Sequence, residues 1–313
     1  MVCHNCQLKA KRFGKDRKGT QRYRCNGYRK TFSEIQDRPL GTMRLPIEKA
    51  IQVLQLLVEG VSVRRSAERI IGVEKKTILS LLERVGDRWE MLLENLIREI
   101  PVKDIQCDEL WGYVQMKEKT KTRKALTSEK LGDAYCFVAI ERDSKLILSW
   151  HLGRRSAADT NLFIDKLDKA TQGQFQITTD GFGPYRDAIG FTLGGRTDFA
   201  QLVKIYGEMQ DEHHYSPAKV LGAKADWQHG RPDRDRVCTS HIERQNLTIR
   251  MQMRRLTRLT NGFSKKWENL KAAYALHFAY YNFCRIHSSI RCTPAMEAGI
   301  TKSVWSLQDL LTA

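Results

Sequence analysis

Three carboxylates stand in settings that could support chemistry: Asp108 in CDELW, Asp180 in TTDGFGPY and Glu243 in SHIERQNLTIR. Asp108 interrupts an apolar, strand-like run. Aspartate is depleted in strands, which favours a function over a solvent-facing edge position. Asp180 closes another apolar run, and with Gly181 beside it a simple turn is the plainer reading of that residue alone. Glu243 follows Ser240 at capping-box spacing, so helix capping competes with function there. Brought together, three such acids can hold two divalent ions about 3.5–4 Å apart against a phosphodiester, with no protein nucleophile. Mg²⁺ keeps several of its waters, so a few acids suffice.

The elements that must position these acids are legible in the hydrophobic patterning. Asp104–Gln115 alternates as a strand: Ile105, Cys107, Trp111 and Tyr113 share one parity, and Asp108, Leu110 and Val114 the other. Further strands are predicted at Asp133–Glu141, Leu146–Leu152, Phe175–Thr179 and Phe199–Tyr206, with a helix at Ser156–Ala170 capped by Ser156. Five strands with a helix among them predict an α/β domain with a mixed sheet. Residues 117–130 read as an exposed loop or hairpin tip, and 207–237 as a polar insertion or active-site loop that includes His213, His214 and His229. Helices are predicted at Ser240–Leu259 and Phe263–Phe283. Arg250 and Arg254 return to the Glu243 face, and Arg255 and Arg258 widen its basic side, so phosphates are expected along it. His241 is placed beside the site, while Asn282 and His287 are expected to tie the last helix to the core.

Upstream, residues 47–88 read as three helices: one from Ile47 to Val58, a short one from Val63 to Ile70, and one from Lys75 to Trp89. A short helix, a turn at Gly72 and a helix opening on Lys75 and Lys76 predict a helix-turn-helix, with Arg64 and Arg65 adding charge. A plain three-helix packing domain is the alternative. Residues 1–40 are too poor in aliphatic side chains to bury a core, and Cys3, Cys6 and Cys25 point to a metal staple.

Charge agrees with a polyanionic partner. The chain of 313 residues carries a formal net charge of +17. Residues 1–44 contribute +9 and residues 238–291 contribute +8, so two segments hold the whole excess. Concentrated charge of this kind fits nucleic acid better than a uniformly solubilised surface. No apolar run approaches a membrane span, so a cytoplasmic, nucleoid-associated protein with no membrane partner is expected.

On these residues the chain resembles the insertion-sequence-one transposases. The likeness runs from QRYRC and KTF, through DELWGYV and TTDGFGPY, to ERQNLTIRMQMRRLTRLTNGFSKKW and YYNFCRIHSSIRCTPAMEAGI. The resemblance implies an RNase H-like catalytic core with a mixed five-stranded sheet, preceded by a zinc-ribbon-like module and a helix-turn-helix. The modules fall at 1–40, 41–98 and 99–292, with a tail at 293–313. It implies that Asp108, Asp180 and Glu243 form an Asp-Asp-Glu triad holding two Mg²⁺ (or Mn²⁺) ions, and that Arg250 contacts transposon-end DNA. Double-stranded DNA, both element ends and target, is the implied partner, with at least a dimer on DNA. One departure is plain. The fourth ribbon cysteine is replaced by Tyr28, so Cys3, Cys6 and Cys25 make three zinc ligands where a closed structural site has four. His4, inside the knuckle, is awkwardly placed to substitute. A non-catalytic DNA-binding regulator, or a nuclease of the same fold, stays open as an alternative.

Overall fold

The computed structural model describes all residues except 4–5, 18, 34–38, 42, 65–67, 207–219 and 258–259. His4, Arg65, Arg258, His213 and His214 therefore lie outside the described residues. The chain divides into two compact units, Met1–Arg44 and Leu45–Ala313.

The first unit is a three-stranded antiparallel sheet of β1 (Ala10–Lys15), β2 (Gln21–Cys25) and β3 (Thr31–Ser33). Its buried apolar side chains are few: Tyr23, Cys3, Cys25 and Leu40. So small a core leaves the cysteines as the natural staple.

The second unit opens with α1 (Ile47–Val58), α2 (Glu68–Ile71) and α3 (Lys75–Leu96). The first helix matches its predicted bounds. The second is helical over Glu68–Ile71, with Val63 and Arg64 also in a helical turn and 65–67 outside the described residues, and the third continues past Trp89 to Leu96. The extension has a physical reason: α3 packs along a later helix, so its apolar face stays buried through Leu93. Tertiary burial, not propensity, decides where such a helix stops.

The sheet follows. After a short β4 (Ile100–Pro101) come β5 (Asp104–Val114), the small helix α4 (Glu118–Arg123), β6 (Gly132–Glu141), β7 (Ile147–Gly153) and α5 (Ala157–Ala170). Then come β8 (Thr171–Gln172), which pairs with β4, β9 (Phe175–Thr179), α6 (Pro184–Thr192), β10 (Thr197–Tyr206) and β11 (Val220–His229). The main sheet has the order β11-β10-β9-β5-β6-β7. Strands β5, β6 and β7 are antiparallel, β9 and β10 run parallel to β5, and β11 returns antiparallel. The chain is thus α/β with a mixed sheet, of six strands rather than five. The sixth, β11, lies within the expected polar insertion and is recruited by pairing with β10. Residues 117–130 form the expected hairpin tip, between β5 and β6, with α4 as a short helix inside it; the Glu118 and Asp133 side chains accept from each other's backbone N–H.

Helices cover both faces. Phe163 of α5 and Tyr185 of α6 meet Phe137 of β6 on one side. On the other lie α7 (Ser240–Gln252) and α8 (Trp267–Phe283), where Tyr274 and Phe278 pack on Trp150 of β7. Helix α8 is buried almost all round, as an element apolar on every face must be. Asn282 ties it to the sheet as expected, exchanging hydrogen bonds with both backbone groups of Ile147 (3.0 and 2.9 Å). Gly86 of α3 meets Ala272 of α8 so closely that a Cβ there would lie 2.4 Å from the alanine Cβ. Helices α9 (Pro294–Glu297) and α10 (Leu307–Thr312) close the chain. No helix among the described residues is long and apolar enough to cross a membrane.

Candidate active site

Strand β9 ends at Thr179, but β5 runs on beyond the partner of that residue, Cys107. The next residue of each strand is an acid: Asp108 and Asp180 stand side by side where the sheet opens. Consecutive strand residues point to opposite faces. Asp108 faces α7, whose Asn246 donates to its Oδ2 at 2.8 Å. Glu109 faces the other way, towards α5 and α6, where Arg155 donates to its Oε2 at 3.2 Å. Asp180, beyond the strand end, reaches both: carboxylate oxygens of Asp108, Glu109 and Asp180 all lie within 4.8 Å of one another.

The structure therefore brings two of the three predicted acids together and adds a third that the motif reading passed over. Glu109 was visible in one respect. It shares the parity of Ile105, Cys107 and Trp111, so it is an acid at a core-facing position. Its side chain is 2% exposed, against 36% for Asp180 and 42% for Glu243.

Helix α7 is fixed against β5 by Gln106, two residues before Asp108 on the same face. The Gln106 Oε1 accepts from the backbone N–H of His241 (2.9 Å) and of Ile242 (3.1 Å), satisfying two free donors at the helix start. This places Glu243 within electrostatic reach of Asp108. The Ser240 capping box does not form. Thr239 is the cap residue, and its hydroxyl donates to Glu243 Oε1, which also takes the Lys204 ammonium. Glu243 is thus at the rim, ion-paired with a lysine of β10, outside the tight carboxylate group. His241 is held at Lys145 (3.3 Å) rather than turned to the acids.

Electrostatics leave the group suited to a cation. Burial and the charge of Asp180 push the Asp108 carboxyl up to about 6. Burial and the same neighbour push Glu109 up to about 7. Like charges crowded out of water disfavour ionisation, and a cation reverses that. Arg155 already contributes, lying 3.6 Å from Asp180 Oδ2 while bonded to Glu109. Even so, no hydrogen bond of ordinary geometry satisfies the buried Glu109 Oε1, although the Tyr185 hydroxyl lies near enough to lower the carboxyl. An all-carboxylate donor set with an orphaned buried oxygen fits Mg²⁺ or Mn²⁺.

The expected phosphate contacts divide. Helix α7 stops at Gln252, short of the predicted Leu259, because the chain turns to bury Met253 and Leu256. Arg250 holds this turn: its guanidinium donates to the carbonyls of Trp111 (3.0 Å) and Leu256 (3.2 Å). Arg254 is exposed, whereas the Arg255 guanidinium is buried. Arg64 and Lys76 are exposed and Lys75 half-buried, all lining one cavity with Arg254 and Arg255.

In the first unit the Cys3, Cys6 and Cys25 sulfurs gather within 4.8 Å, with Cys6 and Cys25 Sγ 3.4 Å apart. Two equivalent knuckle turns hold them. In each, a backbone N–H four residues on returns to a cysteine carbonyl, Gln7 to Cys3 (2.9 Å) and Arg29 to Cys25 (3.0 Å). Both of those residues have positive φ, 58° and 54°. Tyr28 keeps its place in the second knuckle, donating its N–H to Cys25 Sγ (3.3 Å), which draws that thiol down to about 7. Its ring is exposed, so the fourth ligand direction carries no cysteine. Three thiolates fit three of the four positions of a structural zinc site.

No protein-family model matches this chain, and no curated protein sequence does. Among solved structures it is similar to a piggyBac transposase in a synaptic complex with hairpin DNA, at TM-score 0.35 and 10% identity over 84% of this chain and 68% of that one. It is also similar to endonuclease V from Bacillus subtilis, at TM-score 0.21 and 14% identity over 64% of this chain and 90% of that one. Both likenesses are distant.

Proposed function

We propose that this chain is a metal-dependent DNA transposase with an RNase H-like core, of the insertion-sequence-one type that its motifs resemble. The observation that carries the reading is the meeting of Asp108 and Asp180 where β9 ends and β5 continues, with the Glu243 helix docked alongside through Gln106 and Asn246. Asp108 and Asp180 hold the divalent ions (Mg²⁺ or Mn²⁺), and Glu243 completes the set by leaving Lys204. Bound there, such ions supply an activated oxygen nucleophile and stabilise the leaving oxygen. Asn246 and the Glu109 backbone N–H orient the Asp108 carboxylate (both 2.8 Å). Arg155 balances charge between Glu109 and Asp180. The reaction is hydrolysis at the element end, followed by attack of the freed 3′-hydroxyl on target DNA.

The helical segment with Lys75, Lys76, Arg64 and Arg65, together with Arg254 and Arg258, supplies duplex contacts in this reading, while Arg255, its guanidinium buried, does not. A helix-turn-helix over 41–98, a catalytic domain over 99–292 and a zinc ribbon over 1–40 remain its proposed organisation. At least a dimer assembles to pair two DNA ends.

The test is a cleavage and strand-transfer assay on terminal-repeat DNA with Mg²⁺ or Mn²⁺, comparing the wild type with Asp108→Asn and Asp180→Asn. Nicking and joining that both substitutions abolish, with end binding retained, is the expected result. Full cleavage by Asp180→Asn refutes the assignment. Cleavage without joining favours a nuclease, and binding without cleavage a regulator.

A further inference from the structure

A cavity of about 1040 Å³ lies away from the carboxylates, between α1, α3, the segment after α7, and α8. Its lining mixes two chemistries. Leu57, Leu79, Leu82 and Leu276 supply apolar surface. Lys75, Lys76, Arg254 and Lys265 are among seven basic side chains of the described lining. Among the described lining residues the one carboxylate is Glu83, and it accepts from Asn269 Nδ2 (2.9 Å).

The polar groups on these walls are under-used. Arg255 is half-buried. Its Nη1 donates to Ser264 Oγ (3.2 Å), while Nη2 is buried with no partner, and burial lowers the guanidinium to about 10. Asn269 Oδ1 and His277 Nε2 are also buried without partners. Burial lowers His277 to about 3, so its ring is neutral and can donate or accept. A buried charge with no counter-charge and three orphaned hydrogen-bonding atoms on one cavity are costly unless something fills them. The Phe263 ring, with the Lys265 ammonium 3.8 Å from its centroid, adds an aromatic edge to the same wall.

We propose that this cavity binds a nucleotide. The leucines of its lining cover the base, Asn269 and His277 meet the base edge, and Arg255 with the basic side chains takes the phosphate. A solvated phosphate alone would need neither the leucines nor the buried amide and imidazole. The nucleotide is either one turned out of a DNA strand or a free mononucleotide. Only the first source rests on the DNA-processing reading.

Two measurements on the full chain separate the cases. Isothermal titration compares the four deoxynucleoside 5′-monophosphates with inorganic phosphate. Fluorescence anisotropy compares a fully paired duplex with the same duplex carrying one bulged nucleotide. Both are repeated with Leu79→Trp, which adds bulk among the leucines and leaves every charge in place, and with Arg255→Gln, each checked for its fold by circular dichroism. A tenfold or greater preference for the bulged duplex, abolished by Leu79→Trp, establishes an extrahelical nucleotide. Monophosphate binding without bulge preference establishes a free one. Monophosphate binding with no duplex binding supports the pocket while sinking the DNA reading. Equal affinity for both duplexes with no monophosphate binding overturns the pocket and leaves the DNA reading standing. Phosphate binding as tight as the nucleotides, or no response to Leu79→Trp, also overturns it.

Discussion

Replacing Asp108 by Asn should stabilise the metal-free protein. The substitution is nearly isosteric and the hydrogen bonds can survive. Asn246 Oδ1 has no partner, so its amide can flip to accept from the new NH₂. The new carbonyl oxygen still receives the Glu109 N–H. What disappears is a buried charge beside Asp180. The Asp108 carboxyl rises from an ordinary 3.8 to about 6. At about 1.4 kcal/mol per pH unit, that is about 3 kcal/mol against the ionised folded state. Sharing the effect with Glu109 lowers it to about 2 kcal/mol. The sign follows from the direction. A carboxyl whose folded value is raised binds its proton more tightly when folded. The stability it lends is complete below about 4, is lost as pH rises through about 6, and is absent at pH 7.5. In EDTA at pH 7.5 the variant should therefore melt about 4 °C higher, at about 2 °C per kcal/mol for a unit of this size. The gap should narrow to about half at pH 5 and close below about pH 4. Mn²⁺ at a hundred times its dissociation constant should raise the wild type by about 2.7 kcal/mol and the variant by much less. Thermal melts in these conditions are the assay. A variant that melts lower than the wild type in EDTA at pH 7.5 refutes the crowded-carboxylate account.

Glu109→Gln should weaken Mn²⁺ binding, followed by electron paramagnetic resonance of free Mn²⁺; unchanged affinity would mean its orphaned oxygen faces no ion. Lys204→Gln should tighten Mn²⁺ binding severalfold by releasing Glu243, and an unchanged titration would leave Glu243 outside the metal shell. Tyr28→Cys should tighten zinc roughly 100-fold, since one ligand in four carries about 3 kcal/mol of a typical structural site; equal chelator competition by both proteins would contradict the three-ligand reading. Gly86→Ala should cost about 1–3 kcal/mol by overpacking against Ala272, outweighing the roughly 1 kcal/mol gain in helix propensity. Denaturant melts should show Ala272→Gly restoring part of that loss.

Within the sequence, strong local patterns determined a good deal. The alternation of Asp104–Val114, the apolar run Phe175–Thr179 and the cap at Ser156 each specify their element through contacts made within a few residues. The Ser156 side chain accepts from the Asp159 N–H at 3.2 Å, as its position in the chain foretold. Asp108 and Asp180 were legible as acids that an apolar run does not need. Other features were decided only in three dimensions. Strand β11 exists because β10 offers an unpaired edge. The extent of α3 depends on α8, far along the chain. Glu109 joined the carboxylates because β9 stops while β5 continues, a difference in strand length that neither strand encodes alone. Arg250 and Arg255, read as a basic helix face, turned inward once the chain bent after Gln252 to bury Met253 and Leu256. Periodicity records which residues leave water; which neighbours they then meet depends on the register and packing of distant segments.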